Sequence, residues 1–91
     1  MTQQIENIKA LINNNNLSEA IDQLNALIEE NKTNDELYLL RGNAYRKLNN
    51  WKNAMSDYCK AIDINPNSDA VQAYQAAQDI MNFFNKDLYN P

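Results

Sequence analysis

The side chains able to do chemistry are few and scattered along the chain. Two carboxylate pairs stand out, Glu29-Glu30 and Asp35-Glu36. Paired carboxylates can serve as general acid and base, but adjacent residues on a helix point apart, so these read as solvating charges at helix ends. Cys59 precedes Lys60, whose ammonium favours the thiolate only modestly, and it reads as an incidental, partly exposed thiol. The sequence has no histidine, which excludes Ser-His-Asp and Cys-His catalysis and imidazole ligation within the chain. One cysteine excludes a disulfide framework and a thiolate zinc cage. One glycine leaves no phosphate-cradling loop, and the acidic residues lack the spacing of a calcium loop. No catalytic residues, no metal and no cofactor are expected.

The whole composition narrows the class further. With 91 residues one domain is the expectation. A net charge of −4 argues against nucleic acid and anionic membrane as partners. The stretch Met1-Thr2-Gln3-Gln4-Ile5-Glu6-Asn7 has no basic region followed by an apolar run, and no run approaches the roughly 18 apolar residues of a membrane span. A cytoplasmic protein is the expectation. Gly and Pro are scarce while Ala, Leu, Ile, Gln and Glu abound, a helix-forming mixture. Asparagine is in excess at 17 residues, including the run Asn13 to Asn16. It is a poor helix former and a good turn and cap residue.

Apolar residues recur at helical spacing throughout, so the elements that must position any site are helices. Ile5, Ile8, Leu11 and Ile12 form one stripe, stopped by Asn13 to Asn16. Leu17, Ala20, Ile21, Leu24, Leu27 and Ile28 form a second, with Ser18 and Glu19 as its expected cap region. Leu37, Tyr38, Leu40 or Arg41, Ala44, Tyr45 and Leu48 form a third, broken by Asn49-Asn50. Trp51, Ala54, Met55, Tyr58, Ala61 and Ile62 form a fourth, ended by Asn65-Pro66. Ser68 is the expected N-cap of a fifth helix running to about Phe84. Short connections make neighbouring helices antiparallel.

A shift of the sequence against itself by 34 residues superposes Leu11 on Tyr45, Asn15-Asn16 on Asn49-Asn50, Leu17 on Trp51, Ala20 on Ala54, Leu24 on Tyr58 and Ile28 on Ile62. Two helices per 34 residues is the period of the tetratricopeptide repeat. Residues 35–68 resemble that family at Tyr38, Arg41, Gly42, Tyr45, Ala54, Tyr58, Ala61 and Pro66. Gly42 and Ala54 are small where two helices cross closely, and the tyrosines fill space between units. Arg41 departs from the family, which favours Leu; either its stem packs with the guanidinium in solvent, or it finds a partner such as Asp57. Residues 1–34 resemble a degenerate first repeat, with Ile8 in place of Gly and Lys32 in place of Pro. Residues 69–91 resemble the closing helix of such arrays, with Gln72, Gln75, Asp79, Asn82 and Lys86 as its wet stripe. The ending Asn85 to Pro91 is similar to that of small tetratricopeptide proteins of the Bacteroides group. The expected fold is therefore all-α: an α-solenoid of antiparallel helix pairs, two repeats and a capping helix, five helices in all.

The resemblance implies a protein-binding adaptor or scaffold whose first helices line a concave groove for a peptide or helix. Its groove positions fall on Ile5, Lys9, Ile12 and Asn13, on Glu36, Leu39, Asn43, Arg46 and Lys47, and on Ala70, Ala73, Ala77 and Met81. Lys9, Arg46 and Lys47 would attract a carboxylate while Asn43 bonds the ligand backbone; the bland alternative is ordinary solvated charge. The family's clamp for acidic chaperone tails is not expected. Ile5 and Leu40 stand where it needs polar residues, and Ala70 with Tyr74 or Gln75 where it needs basic ones. Trp51, Tyr38, Tyr45, Tyr58 and Tyr74 read as packing residues. A second reading is a self-associating module, since two repeats are fewer than a stable stack usually needs. Its homodimer contacts would be the first helix, through Ile5, Ile8 and Ile12, or the tail residues Phe83, Phe84, Leu88 and Tyr89.

Overall fold

Two asparagines decide where the first and third helices stop. Asn15 and Asn49 have φ of 63° and 61°, the left-handed region that asparagine tolerates better than most residues. They lie 34 positions apart. At each, the chain closes a paired capping turn: Asn15 N–H donates to the Ile12 carbonyl (3.0 Å) and Asn16 N–H to that of Leu11 (2.8 Å). In the second copy Asn49 donates to Arg46 (2.9 Å) and Asn50 to Tyr45 (2.9 Å). The two bonds satisfy carbonyls that a helix end leaves open. Part of the asparagine excess thus has a geometric cause.

The computed structural model describes the backbone of residues 1–89 and the side chains of residues 1–83. Five helices run in order: α1 (Thr2–Asn13), α2 (Leu17–Glu30), α3 (Asp35–Lys47), α4 (Trp51–Ile64) and α5 (Ala70–Tyr89). The described residues contain no strand. Start and end of α2 recur in α4 at the same 34-residue displacement. Asn34 caps α3 by accepting from Glu36 N–H (3.0 Å), and Asn50 caps α4 by accepting from Asn53 N–H (3.2 Å). Ser68 Oγ accepts from Ala70 N–H (3.0 Å) at the start of α5, as expected. The expected cap at Ser18 does not form. The turn at Asn15 delivers the chain straight into α2, so Leu17 is its first residue, buried, and Ser18 lies inside the helix on its exposed side. α5 extends beyond Phe84 to Tyr89.

One core runs through all five helices, with Ile8, Leu24, Leu37 and Tyr58 its largest fully buried side chains. α3 packs on α4 more extensively than any other helix pair packs. The reason is Gly42. A Cβ there would lie 2.7 Å from Tyr58 Cε1, 2.8 Å from Cδ1 and 3.2 Å from the Ala54 carbonyl oxygen. Glycine is poor in a helix interior, so here it is retained for the approach it permits.

Two outcomes follow. Gly42→Ala gains helix propensity but overpacks a ring that is fully buried, and equilibrium urea unfolding should show a net loss of about 1–3 kcal/mol. Asn49→Gly should leave stability within a few tenths of a kcal/mol, whereas Asn49→Val should lower it by about 1–2 kcal/mol, because a β-branched side chain opposes positive φ.

Candidate functional site

The first helices of the pairs, α1 and α3, lie side by side, and three polar contacts join them. Lys9 Nζ lies 3.4 Å from Glu36 Oε2. Lys47 Nζ donates to the Ile12 carbonyl (3.0 Å) and to Asn15 Oδ1 (3.4 Å). These contacts use two of the three cations expected to face a ligand. Lys9 also meets Glu6 at 3.5 Å, and Glu36, then Glu6, hold its ammonium above its ordinary pKa. Lys47 neutralises the exposed carbonyl end of α1.

Arg46 differs from both. It is half-buried in the last turn of α3, and its Nε is fully buried with no hydrogen-bond acceptor among the described residues. Asn43, one turn earlier, is half-buried and accepts a 2.6 Å hydrogen bond from the Tyr58 hydroxyl. Tyr58 therefore reaches from α4 through the close crossing to a side chain on the face of α3. Burial pushes the Tyr58 phenol above its ordinary pKa, the Arg46 charge opposes that rise, and Asp57 adds to it. Asn43 keeps its NH2 group and the second lone pair of Oδ1 for further bonding.

The remaining groove candidates divide by burial. Ile5 (7 % exposed) and Ile12 (6 %) are core residues, as are Ala70 and Ala77. Helix packing turns them inward: Ala70 and Ala77 are fully covered, and Ile5 and Ile12 present an edge at most. Leu39, Ala73 and Met81 are partly exposed, and Asn13 is exposed. Lys9, Ile12, Asn13, Leu40 and Asn43 surround an open hollow of about 200 Å³. A second, of about 240 Å³, lies at the start of α3 between Asp35, Glu36, Leu39, Asn65, Asn67, Ser68 and Asp69. Its character is acidic. Ile5, Ile8 and Ile12 are all covered by this chain's own core, which removes the first-helix surface expected for self-association. Phe83 is 74 % exposed and Ile80 37 %. The side chains of Phe84, Leu88 and Tyr89 lie outside the described residues.

A larger open cleft, of about 600 Å³, which sequence reasoning missed, lies between α2, α3 and α4. Asn25, Ala26 and Glu29 of α2, Arg41 and Tyr45 of α3, and Asn53, Ser56 and Asp57 of α4 line it. Arg41 is half-buried there and is held by partners. Its Nε and Nη2 donate to the two oxygens of buried Asp57 at 2.9 and 2.8 Å, and its Nη1 donates to Asn25 Oδ1 at 2.9 Å. The Asp57 hydrogen bonds raise the Arg41 pKa against the opposing effect of burial. The guanidinium also stands 5.7 Å from the centre of the Tyr38 ring, and the Tyr38 hydroxyl donates to the Lys32 carbonyl (3.0 Å). One side chain thus ties α2, α3 and α4 together. The signal was Arg41 at a leucine position; its second partner, Asn25, carried none.

Cys59 is exposed. Among the described residues no three His, Cys, Asp or Glu side chains gather as metal ligands, and no helix is long and apolar enough to cross a membrane.

A sequence profile of the tetratricopeptide repeat matches residues 36–68. The solution NMR structure of Bacteroides fragilis protein BF1650 is similar to this chain with a TM-score of 0.88 and 44% sequence identity; the alignment covers 99% of this chain and 91% of that one. No curated protein matches.

The Arg41–Asp57 pair should behave as a buried ion pair. Asp57→Ala strands a half-buried guanidinium and should cost about 3 kcal/mol in urea unfolding, while the double replacement Arg41→Leu with Asp57→Leu should recover most of that loss.

Proposed function

This chain belongs to the tetratricopeptide repeat family, and on that premise we propose that it is a non-catalytic adaptor that holds a partner's peptide or helix against the concave face of α1, α3 and α5. Tetratricopeptide repeats generally mediate protein–protein interaction. In this reading residues 1–34 and 35–68 are the two repeats, residues 69–91 close the array, and the setting is cytoplasmic.

The observation that carries the reading is the state of the polar groups on α3. Asn43 is held by Tyr58 at one atom only, and Arg46 has no acceptor among the described residues. Both are half-buried, where polar groups are normally satisfied. Leu39 adds apolar surface on the same helix, and Asn13 adds a further polar group from α1. The convex cleft differs in the matching respect: its buried charge, Asp57, is already paired with Arg41. A partner on the concave side would meet the Asn43 amide beside Leu39 and Asn13, which are the accessible groups there.

The test is crosslinking capture in cells with three forms of the protein. The pair Asn13→Arg with Leu39→Glu should reduce recovery of wild-type partners at least tenfold, the effect of losing a central contact. The convex change Asn53→Arg should leave the same partners in place. Loss of partners through Asn53→Arg alone would move the binding face to the other side.

A further inference from the structure

We propose that α5 pairs with the α5 of a second copy of this chain, antiparallel and about a two-fold axis, through a seam of Ala73, Ala76, Ile80 and Phe83. The pairing does not rest on the concave-face reading above.

Three rows run along α5. Ala70 and Ala77 are fully covered by the core. Gln72, Gln75, Asp79 and Asn82 form the exposed polar row. Between the two lies an apolar row in contact with solvent: Ala73 is half-buried, Ala76 is exposed, and Ile80 and Phe83 are 37 % and 74 % exposed. Two of the four large apolar side chains exposed among the described residues sit in this row, so the exposure is concentrated and not scattered. Intervals of three, four and three residues are the a and d positions of a heptad, the rows that meet when two helices lie side by side.

The order of sizes along the seam says what covers it. From its N-terminal end the seam reads Ala, Ala, Ile, Phe, small at one end and large at the other. An antiparallel second copy reverses that order. Each copy's Phe83 then falls opposite the other's Ala73, and each Ile80 opposite the other's Ala76, with the axis level with residue 78. Every layer joins one large side chain to one small one, which is how facing rows interdigitate without voids. A parallel pair would set Phe83 against Phe83 and leave a gap between the two Ala73 methyl groups. Asp79 is the one charged residue from 70 to 83, so a charged foreign helix finds little to read there. A two-fold contact of this self-complementary kind closes on itself and stops at the dimer. Two large side chains per copy cover too little for a permanent assembly, and the expected Kd is about 0.1 mM.

Sedimentation velocity on the full chain tests the pairing from about 10 μM to about 1 mM, with reductant present so that exposed Cys59 cannot link copies. Monomer should dominate at the lower end and dimer at the upper. Phe83→Ser and Ile80→Ser should each weaken association at least tenfold, and Gln75→Ser, in the polar row, less than twofold. Asp79 borders the seam near the axis, where it meets its own copy, so Asp79→Asn should strengthen association about twofold. In a mixture of isotope-labelled and unlabelled chains, filtered nuclear Overhauser contacts should join the Phe83 ring of one copy to the Ala73 methyl of the other. A wild type that stays monomeric at the top of the range would overturn the second copy as occupant and leave the seam to a helix of another protein. Dimers that survive both serine variants would overturn the seam, and contacts joining Phe83 to Phe83 would overturn the antiparallel order. Where a serine variant loses helix by circular dichroism, the filtered contacts in the wild type decide alone: their absence in a dimer overturns the pairing.

Discussion

The crossing of α3 over α4 at Gly42 is the constraint on which the rest of the structure depends. With no Cβ at that position, the Tyr58 ring lies against the α3 backbone at a distance that any other residue would forbid. The ring is completely buried, so its hydroxyl must find a partner nearby. It finds Asn43, on the neighbouring residue of α3. A packing requirement thereby reaches the surface of α3: the orientation of the Asn43 amide is set by a tyrosine whose body belongs to the core.

The polar groups on either side of α3 are treated differently by the fold. In the cleft between α2, α3 and α4, Arg41 is spent on internal ties to α2 and α4. Buried pairs of this kind contribute little net stability, because desolvation offsets attraction, but breaking one is costly. Their effect is to favour one arrangement of the three helices over others. Lys9 and Lys47 play the corresponding part between α1 and α3. The boundary between the two helix pairs is thus crossed by polar contacts on both faces. α5 packs on α4 and leaves Gln72, Gln75, Asp79 and Asn82 exposed.

Much of this was legible in the sequence, for identifiable physical reasons. Periodicity placed all five helices, because each must bury a stripe of apolar residues. The 34-residue displacement located the turns, and Gly42 announced the close crossing. The asparagine runs were read as turns, although the left-handed geometry of Asn15 and Asn49 explains the choice of residue more fully than composition does. The proposed groove was harder to read. Its register was transferred from a family pattern, which says which positions point to a face but not how deeply each is covered. Ile5 and Ala77 are core for that reason. Pairing was harder still: a lysine in a sequence looks the same whether Glu36 or a helix end compensates it. The Arg41 tie needed three helices to come together, from positions 25, 41 and 57, and no local signal encodes that meeting.

The most direct measurement is NMR observation of the Tyr58 hydroxyl proton and the Asn43 side-chain amide in the protein without a partner. If the crossing presets the groove, the hydroxyl proton is seen in slow exchange with solvent, with a nuclear Overhauser contact to the Asn43 side chain, and the Asn43 amide occupies one rotamer. A hydroxyl exchanging at the solvent rate, with the Asn43 amide averaged over several rotamers, would contradict the account.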